Sequence, residues 1–177
     1  MQLLKYTEQE RREYNPMCLD YWIKKHGRKL AKIKYAEYKT TVSNLTFRSK
    51  VADCFFSELS SYFKSDTQLY SEREMCLLLP NGNYIKPDYI NVERNICVEF
   101  FGDYWHANPK KYKATDVISY PNKTKRLAKD IWTADAIRID NLTRMGYNVL
   151  IVWEQDYYKN SKELIEKTVQ EIKNENI

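Results

Sequence analysis

Hydrophobic side chains in the first third of the chain recur every three or four residues, the spacing that places them on one face of an α-helix. Asn15-Pro16 is suited to open a first helix, with Asn as the cap and Pro in the first turn. Gly27 interrupts the pattern, and a second helix is predicted over about 28–42. A third is predicted from near Ser49, with apolar positions at Val51, Cys54, Phe55, Leu59 and Tyr62.

The middle of the chain has the pattern of β-strands. Segment 74–79 precedes Asn81-Gly82, a strong hairpin signal. Segment 84–91 is the next predicted strand, and its Pro87, which cannot donate to a ladder, favours an edge or irregular strand. The run ICVEFF at 96–101 favours a short buried strand. Together these segments predict an antiparallel meander of three strands.

The last third of the chain predicts a loop, a long helix, a strand and a helix. Residues 107–123 are rich in Pro and Lys, as loops are, and a helix is predicted over about 124–145 with Gly146 just beyond its end. NVLIVWE at 148–154 predicts a buried strand, and 160–174 an amphipathic helix. This order of elements predicts an α/β fold of the α+β sandwich kind, with a mixed central sheet flanked by helices.

The composition fits one domain, or one core domain with a small appendage. The chain has 177 residues, of which 43% are hydrophobic, enough to bury a core without disulfide or metal staples. No apolar run approaches the length of about 18 residues expected of a membrane span, and the first residues lack the apolar stretch of a secretory signal. We therefore expect a soluble, cytoplasmic protein with no membrane partner.

Positive charge is concentrated in two zones. Residues 1–50 hold 12 Lys or Arg against five Asp or Glu, and residues 110–129 hold seven Lys or Arg against the single acid Asp116. Clustered cations favour a polyanionic partner, because neutralised phosphates release counterions. A solvated lysine-rich face is the alternative.

Three polar residues stand where the predicted sheet should be apolar. Asp88 follows Pro87 inside a strand-like run, Glu99 interrupts ICVEFF, and His106 closes the cluster GDYWH. Buried carboxylates are costly unless they are paired or bound to metal. Two carboxylates on adjacent strands can face the same side and form an oxygen-rich site suited to Mg²⁺, and a nearby histidine can act as general base.

Each of these residues also has an ordinary structural explanation. Asp88 could be a turn or edge-strand residue, and Glu99 could pair with Lys86 at the sheet surface. His106, next to Trp105, could be an aromatic packing residue. The order and spacing of the three residues carry more information than any one of them.

Two segments resemble a known group of nucleases. The first is KPDYINVERNICVEFFGDYWH, which a basic loop follows, and the second is IWTADAIRIDNLTRMGYNVLIVWEQD. Both are similar to the very-short-patch mismatch-repair endonucleases and to the phage homing endonucleases with an E-D-x-H-D signature. These groups belong to the restriction-endonuclease-like PD-(D/E)XK superfamily, so the resemblance implies that fold. It covers roughly residues 49–158.

The resemblance implies a role for each matching residue. Asp88 matches the metal-binding aspartate, and Phe100 matches the position whose backbone carbonyl contacts the metal. His106 matches the histidine that activates water, and Asp135 matches the last aspartate, which orients that histidine. Without the resemblance, Asp135 would be a surface residue with Arg138 as its ion-pair partner one turn along the helix.

The remaining signature positions differ more from the family pattern. Glu99 falls at the superfamily's second acid, which implies an additional metal ligand, and Phe101 replaces the superfamily's lysine. The first glutamate of the signature has no direct match in the segment that opens the domain. Asp53 or Glu58 could substitute for it, or neither acts, and Glu58 is the preferred candidate.

The resemblance also divides the chain. Residues 1–47 are predicted to form a basic helical N-terminal segment, either a DNA-binding arm or else a packing arm or dimer contact, and residues 48–177 are predicted to form the nuclease domain. Trp105 either packs or stacks on DNA bases. The residues predicted to contact DNA are Lys24, Lys25, Arg28, Lys29, Trp105, Lys110, Lys111, Lys113 and Lys125.

The implied function is cleavage of double-stranded DNA, as a nick or a double-strand break, by a Mg²⁺-dependent endonuclease of the homing type for which Mn²⁺ can substitute. The enzyme would act as a monomer, or as a homodimer on DNA, in the cytoplasm of a bacterial or phage-infected cell. One alternative is a nuclease-fold protein that binds DNA without cutting it. A second alternative is an interaction module whose basic surface binds an acidic protein.

Overall fold

The computed structural model describes residues 9, 13, 19–43, 49–71, 74–79 and 82–174. These fall into two compact units, one within 1–46 and 75–86 and the other within 47–74 and 87–177. In chain order, the elements are α1 Leu19–Ser43, α2 Lys50–Ser60, β1 Gln68–Tyr70, β2 Leu77–Leu78, β3 Tyr84–Ile85, β4 Tyr89–Asn91, β5 Ile96–Phe101, β6 Val117–Ser119, β7 Lys125–Leu127, α3 Ala128–Arg144, β8 Asn148–Trp153, α4 Glu154–Lys159 and α5 Ser161–Asn174.

The first unit contains a helical hairpin. Helix α1 is interrupted at Gly27, whose φ of 73° and ψ of 160° suit a residue without a Cβ. The rings of Trp22 and Tyr38 lie 5.3 Å apart, whereas an unbroken helix would separate them by about 24 Å. The two halves of α1 therefore fold back on each other, and the predicted break at Gly27 is confirmed. The predicted start at Asn15-Pro16 lies outside the described residues.

The three-stranded meander expected from the sequence is wrong in one respect. The segment 84–91 is split at Pro87 into two strands that belong to different sheets. Strand β3 pairs antiparallel with β2 in the first unit, and β4 pairs antiparallel with β5 in the second. Proline has no N–H to donate to a ladder, so the break falls there.

The sheet of the second unit, as far as the described residues define it, has the strand order β1-β4-β5-β8. Strand β4 is antiparallel to both β1 and β5, and β8 runs parallel to β5. The predicted mixed sheet is therefore confirmed. Strands β5 and β8 can be parallel because α3 lies between them in the chain and provides the crossover.

The two faces of this sheet have different roles. Alternate residues of β5 point to opposite faces. Ile96, Val98 and Phe100 join a buried core with α2 and α5. Glu99 points the other way and reaches α3, where it meets Arg138. Helices therefore cover both faces, and the face toward α3 carries the polar residues.

The predicted loop before α3 contains a small hairpin. Strands β6 and β7 pair antiparallel, with Ile118 opposite Arg126. The predicted helix over 124–145 therefore begins later, at Ala128. Within the described part of the chain, no helix is long and apolar enough to cross a membrane.

Candidate active site

Asp88 is positioned by the start of β4. Its neighbour Tyr89 is fully buried in the core and lies opposite Val98 of β5. Because side chains alternate along a strand, Asp88 lies on the other face, the one that carries Glu99. An Oδ2 atom of Asp88 accepts a hydrogen bond of 2.9 Å from the backbone N–H of Phe100. This contact uses the N–H of Phe100. The role of the Phe100 carbonyl as a metal ligand beside Asp88 stays a prediction.

His106 lies in the turn that follows β5. Its backbone N–H donates to the carbonyl of Gly102 at 3.0 Å, and its ring stacks on Phe101 with centroids 3.9 Å apart. Nδ1 lies 2.9 Å from Oδ2 of Asp135, which α3 contributes. When Asp135 is ionised, Nδ1 carries the proton, so Nε2 of the neutral ring is the acceptor. The expected contact between His106 and Asp135 is present.

Glu99 is held by Arg138. The Arg138 guanidinium donates through Nε and Nη2 to both carboxylate oxygens, at 2.9 to 3.1 Å. Glu99 is 1% exposed, so the pair is buried at the carboxylate end. The sequence offered Lys86 as a partner for Glu99 and Asp135 as a partner for Arg138, yet the ion pair between Glu99 and Arg138 was not predicted.

Several charges act on one another at this place. Burial raises the pKa of Glu99, and the neighbouring Asp88 carboxylate adds to the rise while Arg138 opposes it. Burial alone would lower the pKa of Arg138, but the carboxylates of Glu99, Asp88 and Asp135 outweigh it and raise that pKa. The bidentate geometry is that of an ionised carboxylate and a guanidinium. Three carboxylates therefore lie within electrostatic reach of one half-buried cation.

Asp53 and Glu58, the two candidates for the first acid, lie in different surroundings. Oδ1 of Asp53 accepts a hydrogen bond from the hydroxyl of Ser71. Ser71 directly follows Tyr70, the last residue of β1, and Tyr70 pairs with Tyr89, the residue after Asp88. Glu58 is exposed. The geometry favours Asp53 over the preferred sequence candidate.

Glu58 belongs instead to the surroundings of α4. Burial raises the pKa of the Tyr157 phenol, and the charges of Cys54 and Glu58 add to that rise. Tyr157 itself packs against the core on the α2 side of the sheet. The opposite face of the sheet carries the contacts of Glu99 and Arg138. Among the described residues, no contact connects Glu58 with Glu99 or Arg138.

Trp105 forms an exposed aromatic surface beside His106. Its side chain is 54% exposed and stacks on Tyr120 with centroids 5.4 Å apart and an angle of 12°. The Tyr120 hydroxyl donates to the carbonyl of Trp105 at 3.1 Å. Burial raises the pKa of Tyr120, and Asp135 is close enough to add to that rise. The aromatic surface therefore borders the dyad of His106 and Asp135.

The predicted DNA-binding lysines of the second unit divide into two groups. Lys110 pairs with Asp156 at 2.9 Å and Lys111 with Asp103 at 2.6 Å. Burial would raise the pKa of Asp103, but hydrogen bonds from Asn108 and Lys111 lower it below its ordinary value. Lys113 and Lys125 are exposed, and neither forms an ion pair with another described residue. The second group suits a partner better than the first.

The predicted cations of the first unit are all exposed, and they lie near the bend of α1. Lys24 pairs with Glu13 at 3.1 Å, and the ammonium of Lys25 lies 5.6 Å from the ring centre of Tyr21. Arg28 and Lys29 follow Gly27 directly and are exposed. Their contact with DNA stays a prediction.

The donor set around Asp88 can be compared with what Mg²⁺ requires. Among the described residues, no group of three or more His, Cys, Asp or Glu side chains could by itself hold a metal ion. Mg²⁺ is commonly bound by one or two carboxylates, with waters and substrate phosphates completing its shell. Asp88 next to the Phe100 backbone fits that pattern. Glu99 fits it less well, because Arg138 engages both of its oxygens.

Comparison with known proteins adds no relative: no family model, no curated protein and no solved structure matches this chain. What the structure itself shows is that Asp88, His106 and Asp135 lie near the face of the sheet toward α3.

Proposed function

We propose that this chain is a metal-dependent endonuclease that hydrolyses phosphodiester bonds of duplex DNA. The hydrogen bond between His106 and Asp135 carries the proposal, because it joins two residues of the signature that lie 29 positions apart. Asp88 supports it as well, since its carboxylate contacts the Phe100 backbone on the same side of the sheet. Packing alone requires neither contact.

His106 would act as the general base. Asp135 fixes the proton on Nδ1, which leaves Nε2 to accept a proton from an attacking water. The carboxylate then stabilises the imidazolium that forms. Stacking on Phe101 limits rotation of the ring, so Nε2 keeps its direction during the reaction. The side chain is 26% exposed, which lets water reach it.

Asp88 and the carbonyl of Phe100 would hold the metal, Mg²⁺ or Mn²⁺. When bound, the ion neutralises charge on the phosphate and acidifies coordinated water. Asp53 takes the place of the first acid in this proposal, in line with its position beside Ser71. Glu99 serves as the partner of Arg138 rather than as a ligand.

DNA would lie across the exposed aromatic and basic surface next to the dyad. Trp105 and Tyr120 offer a stacking surface, since every base has a π-face. Lys123, Lys125 and Lys129 are exposed on or beside the hairpin of β6 and β7. Such cations contact phosphates and position the protein without reading sequence. Action as a monomer or as a homodimer on DNA stays a prediction, and so does the assignment to the homing type of endonuclease.

A plasmid-nicking assay tests the proposal. Supercoiled plasmid is incubated with the wild type, Asp88→Ala or His106→Ala, each with Mg²⁺, with Mn²⁺ or with EDTA. The wild type should convert it to relaxed or linear DNA in either metal, and both variants should lose that activity while still binding DNA. Equal nicking by all three proteins would reject the assignment of the site.

A DNA-binding protein without cleavage is the second candidate. Two features favour it: the signature's first glutamate is absent, and Arg138 occupies the oxygens of Glu99. Filter binding to duplex DNA over a salt series separates this candidate, because binding should be strongest at low salt. Binding without nicking in either metal would establish it. No binding at low salt would instead favour an acidic protein as the partner.

A further inference from the structure

We propose that Arg138 is a positioning residue of the candidate site. Its bidentate ion pair with Glu99 fixes the position of helix α3 relative to strand β5, and this keeps Asp135 within hydrogen-bonding distance of His106. The contact to be explained is the hydrogen bond of 2.9 Å between Nδ1 of His106 and Oδ2 of Asp135. Only the catalytic consequence of this inference rests on the proposed function.

The ion pair has the geometry of a fixed spacer. Nη2 of Arg138 donates to both oxygens of Glu99, and Nε donates to one of them, all within 3.1 Å. A planar guanidinium that binds a carboxylate through two atoms fixes both distance and orientation. Glu99 lies opposite Ile151 of β8, and the preceding residues of β5, up to Val98, pair with β4. Arg138 is thus tied to a rigid strand.

Two contacts connect α3 to β5 and the turn after it: the ion pair between Arg138 and Glu99, and the hydrogen bond between Asp135 and His106. On each side, the residues involved lie on one face of their element. Asp135 and Arg138 are three residues apart in α3, so they are neighbours on the helix surface. Glu99 and Phe101 are two residues apart in β5, so they share a face of the sheet, and Phe101 carries the stacked ring of His106. A shift of Arg138 would therefore move Asp135, which lies within one helical turn of it.

Other hydrogen bonds fix the start of α3. The N–H groups of Ala128 and Lys129 donate to the carbonyls of Asp116 and Ala114, and Nε1 of Trp132 donates to the carbonyl of Ala107 at 2.8 Å. All of these contacts come before Asp135 along α3, whereas the contact of Arg138 with Glu99 comes after it.

Leu127 stands at the N-cap, and no side chain among the described residues caps the helix there. Apolar contacts of Ala128, Ile131 and Leu142 hold the helix to its surroundings. Apolar packing is not directional, so it tolerates small shifts that a hydrogen bond to an imidazole would not.

An ion pair with a buried carboxylate is not needed for stability alone. Replacing such a pair with well-packed apolar residues is often neutral or stabilising. The neighbours of Glu99 on β5 are apolar and buried, so an apolar residue would fit the pattern of the strand. A specific arrangement of α3 is what the ion pair adds.

The double variant Glu99→Met with Arg138→Leu tests the inference by NMR. The sequence contains two histidines, His26 and His106, so imidazole ¹⁵N shifts are easily assigned and His26 is an internal reference. In the wild type, His106 should be protonated at Nδ1 when neutral. In the double variant the Nδ1-H form should give way to a mixture of tautomers, with the thermal midpoint unchanged or higher. The nicking rate should fall about 10- to 100-fold, as misplacement by about 1 Å does.

Arg138→Lys and a matched control complete the test. Lysine keeps the charge but cannot bind both carboxylate oxygens through a planar group, so Arg138→Lys should show the same tautomer mixture. This single variant replaces the double variant in the test if the double variant does not fold. Asp66→Leu with Arg94→Met removes a different ion pair of the same unit, whose atoms lie 2.6 Å apart, and should leave His106 unchanged. Wild-type tautomers in both Arg138 variants would overturn the inference. Absence of nicking by the wild type would count against the proposed function only.

Discussion

Nδ1 of His106 lies 2.9 Å from Oδ2 of Asp135. The two side chains are 26% and 16% exposed, so the contact is sheltered and the imidazole is still open to water. A carboxylate at Nδ1 is the arrangement that prepares Nε2 to take up a proton. The relationship joins the turn after β5 to helix α3.

Asp135→Asn should abolish most cleavage. Asparagine can hold the ring through its amide, but it cannot stabilise an imidazolium, so the nicking rate should fall by about 10²- to 10⁴-fold, the usual contribution of a general base. DNA affinity by filter binding should stay at the wild-type value. Asp130→Asn, an exposed position on the same helix, is the control and should cleave normally. A wild-type rate for Asp135→Asn would remove the dyad from the mechanism.

Asp88→Asn and Glu99→Gln should differ in metal affinity. Asp88 is the predicted ligand, so Asp88→Asn should weaken Mn²⁺ binding in calorimetry by about tenfold or more, or about 1.4 kcal/mol. Glu99 is occupied by Arg138, so Glu99→Gln should bind Mn²⁺ within about threefold of the wild type, a change of less than about 1 kcal/mol. Circular dichroism checks that both variants fold. Equal losses in both variants would make Glu99 a ligand, as the sequence suggested.

Asp53→Asn and Glu58→Gln identify the first acid. Asp53 is hydrogen-bonded to Ser71, which follows Tyr70, the residue paired with Tyr89 beside Asp88. Asp53→Asn should therefore lower the nicking rate by about tenfold, the amount that a supporting residue of a metal site commonly contributes. Glu58 is exposed and borders Tyr157, so Glu58→Gln should leave the rate unchanged. The reverse result would restore the preference drawn from the sequence.

Lys125→Ala and Lys111→Ala separate cations that bind DNA from cations that stabilise the fold. Lys125 is exposed, and its loss should reduce the slope of log affinity against log salt by about one phosphate contact. Lys111 pairs with Asp103 at 2.6 Å, and its loss should lower the free energy of unfolding slightly without changing the slope. Salt-dependent filter binding and urea unfolding measure the two effects. A reduced slope for Lys111→Ala would show that Lys111 leaves Asp103 and contacts a phosphate when DNA binds.

The sequence predicts those parts of the site that local pattern determines. Strands β5 and β8 are recognisable because each is a short apolar run. Asp88 and Glu99 attract notice because carboxylates are costly in such surroundings. The spacing from Asp88 to Phe100 corresponds to one antiparallel turn between β4 and β5, so their contact follows from chain geometry.

The contacts that depend on helix docking could not be predicted in the same way. Glu99 and Arg138 lie 39 residues apart, and the sequence around each residue does not show where along β5 helix α3 packs. Local reasoning offered Lys86 and Asp135 as partners because they are near in sequence or on the same helix turn. Strand β7 was missed for a different reason: Lys125 and Arg126 are polar and exposed, so no apolar period marks them.

Acid stability provides a test away from the site. Asp66 accepts hydrogen bonds from Asn91 at 2.9 Å and from Arg94 at 2.6 Å. The hydrogen bond from Asn91 is the largest cause that lowers the pKa of Asp66 below its ordinary value of 3.8, and Arg94 adds to it while burial opposes. Because the folded pKa is lowered, the stabilisation is fully present above pH 3.8 and is lost as the pH falls through the folded pKa.

Asp66→Asn should therefore cost stability at neutral pH but not in strong acid. At pH 7 the free energy of unfolding in urea should fall by about 1 to 2 kcal/mol, as for hydrogen bonds to a charged group. The difference from wild type should shrink as the pH falls below 3.8. Asp140→Asn removes an exposed pair with Arg144, whose side chains are 55% and 76% exposed, and should cost less than about 0.5 kcal/mol at any pH. A difference for Asp66→Asn that stays constant from pH 7 to pH 2 would mean that shape, and not charge, makes Asp66 stabilising.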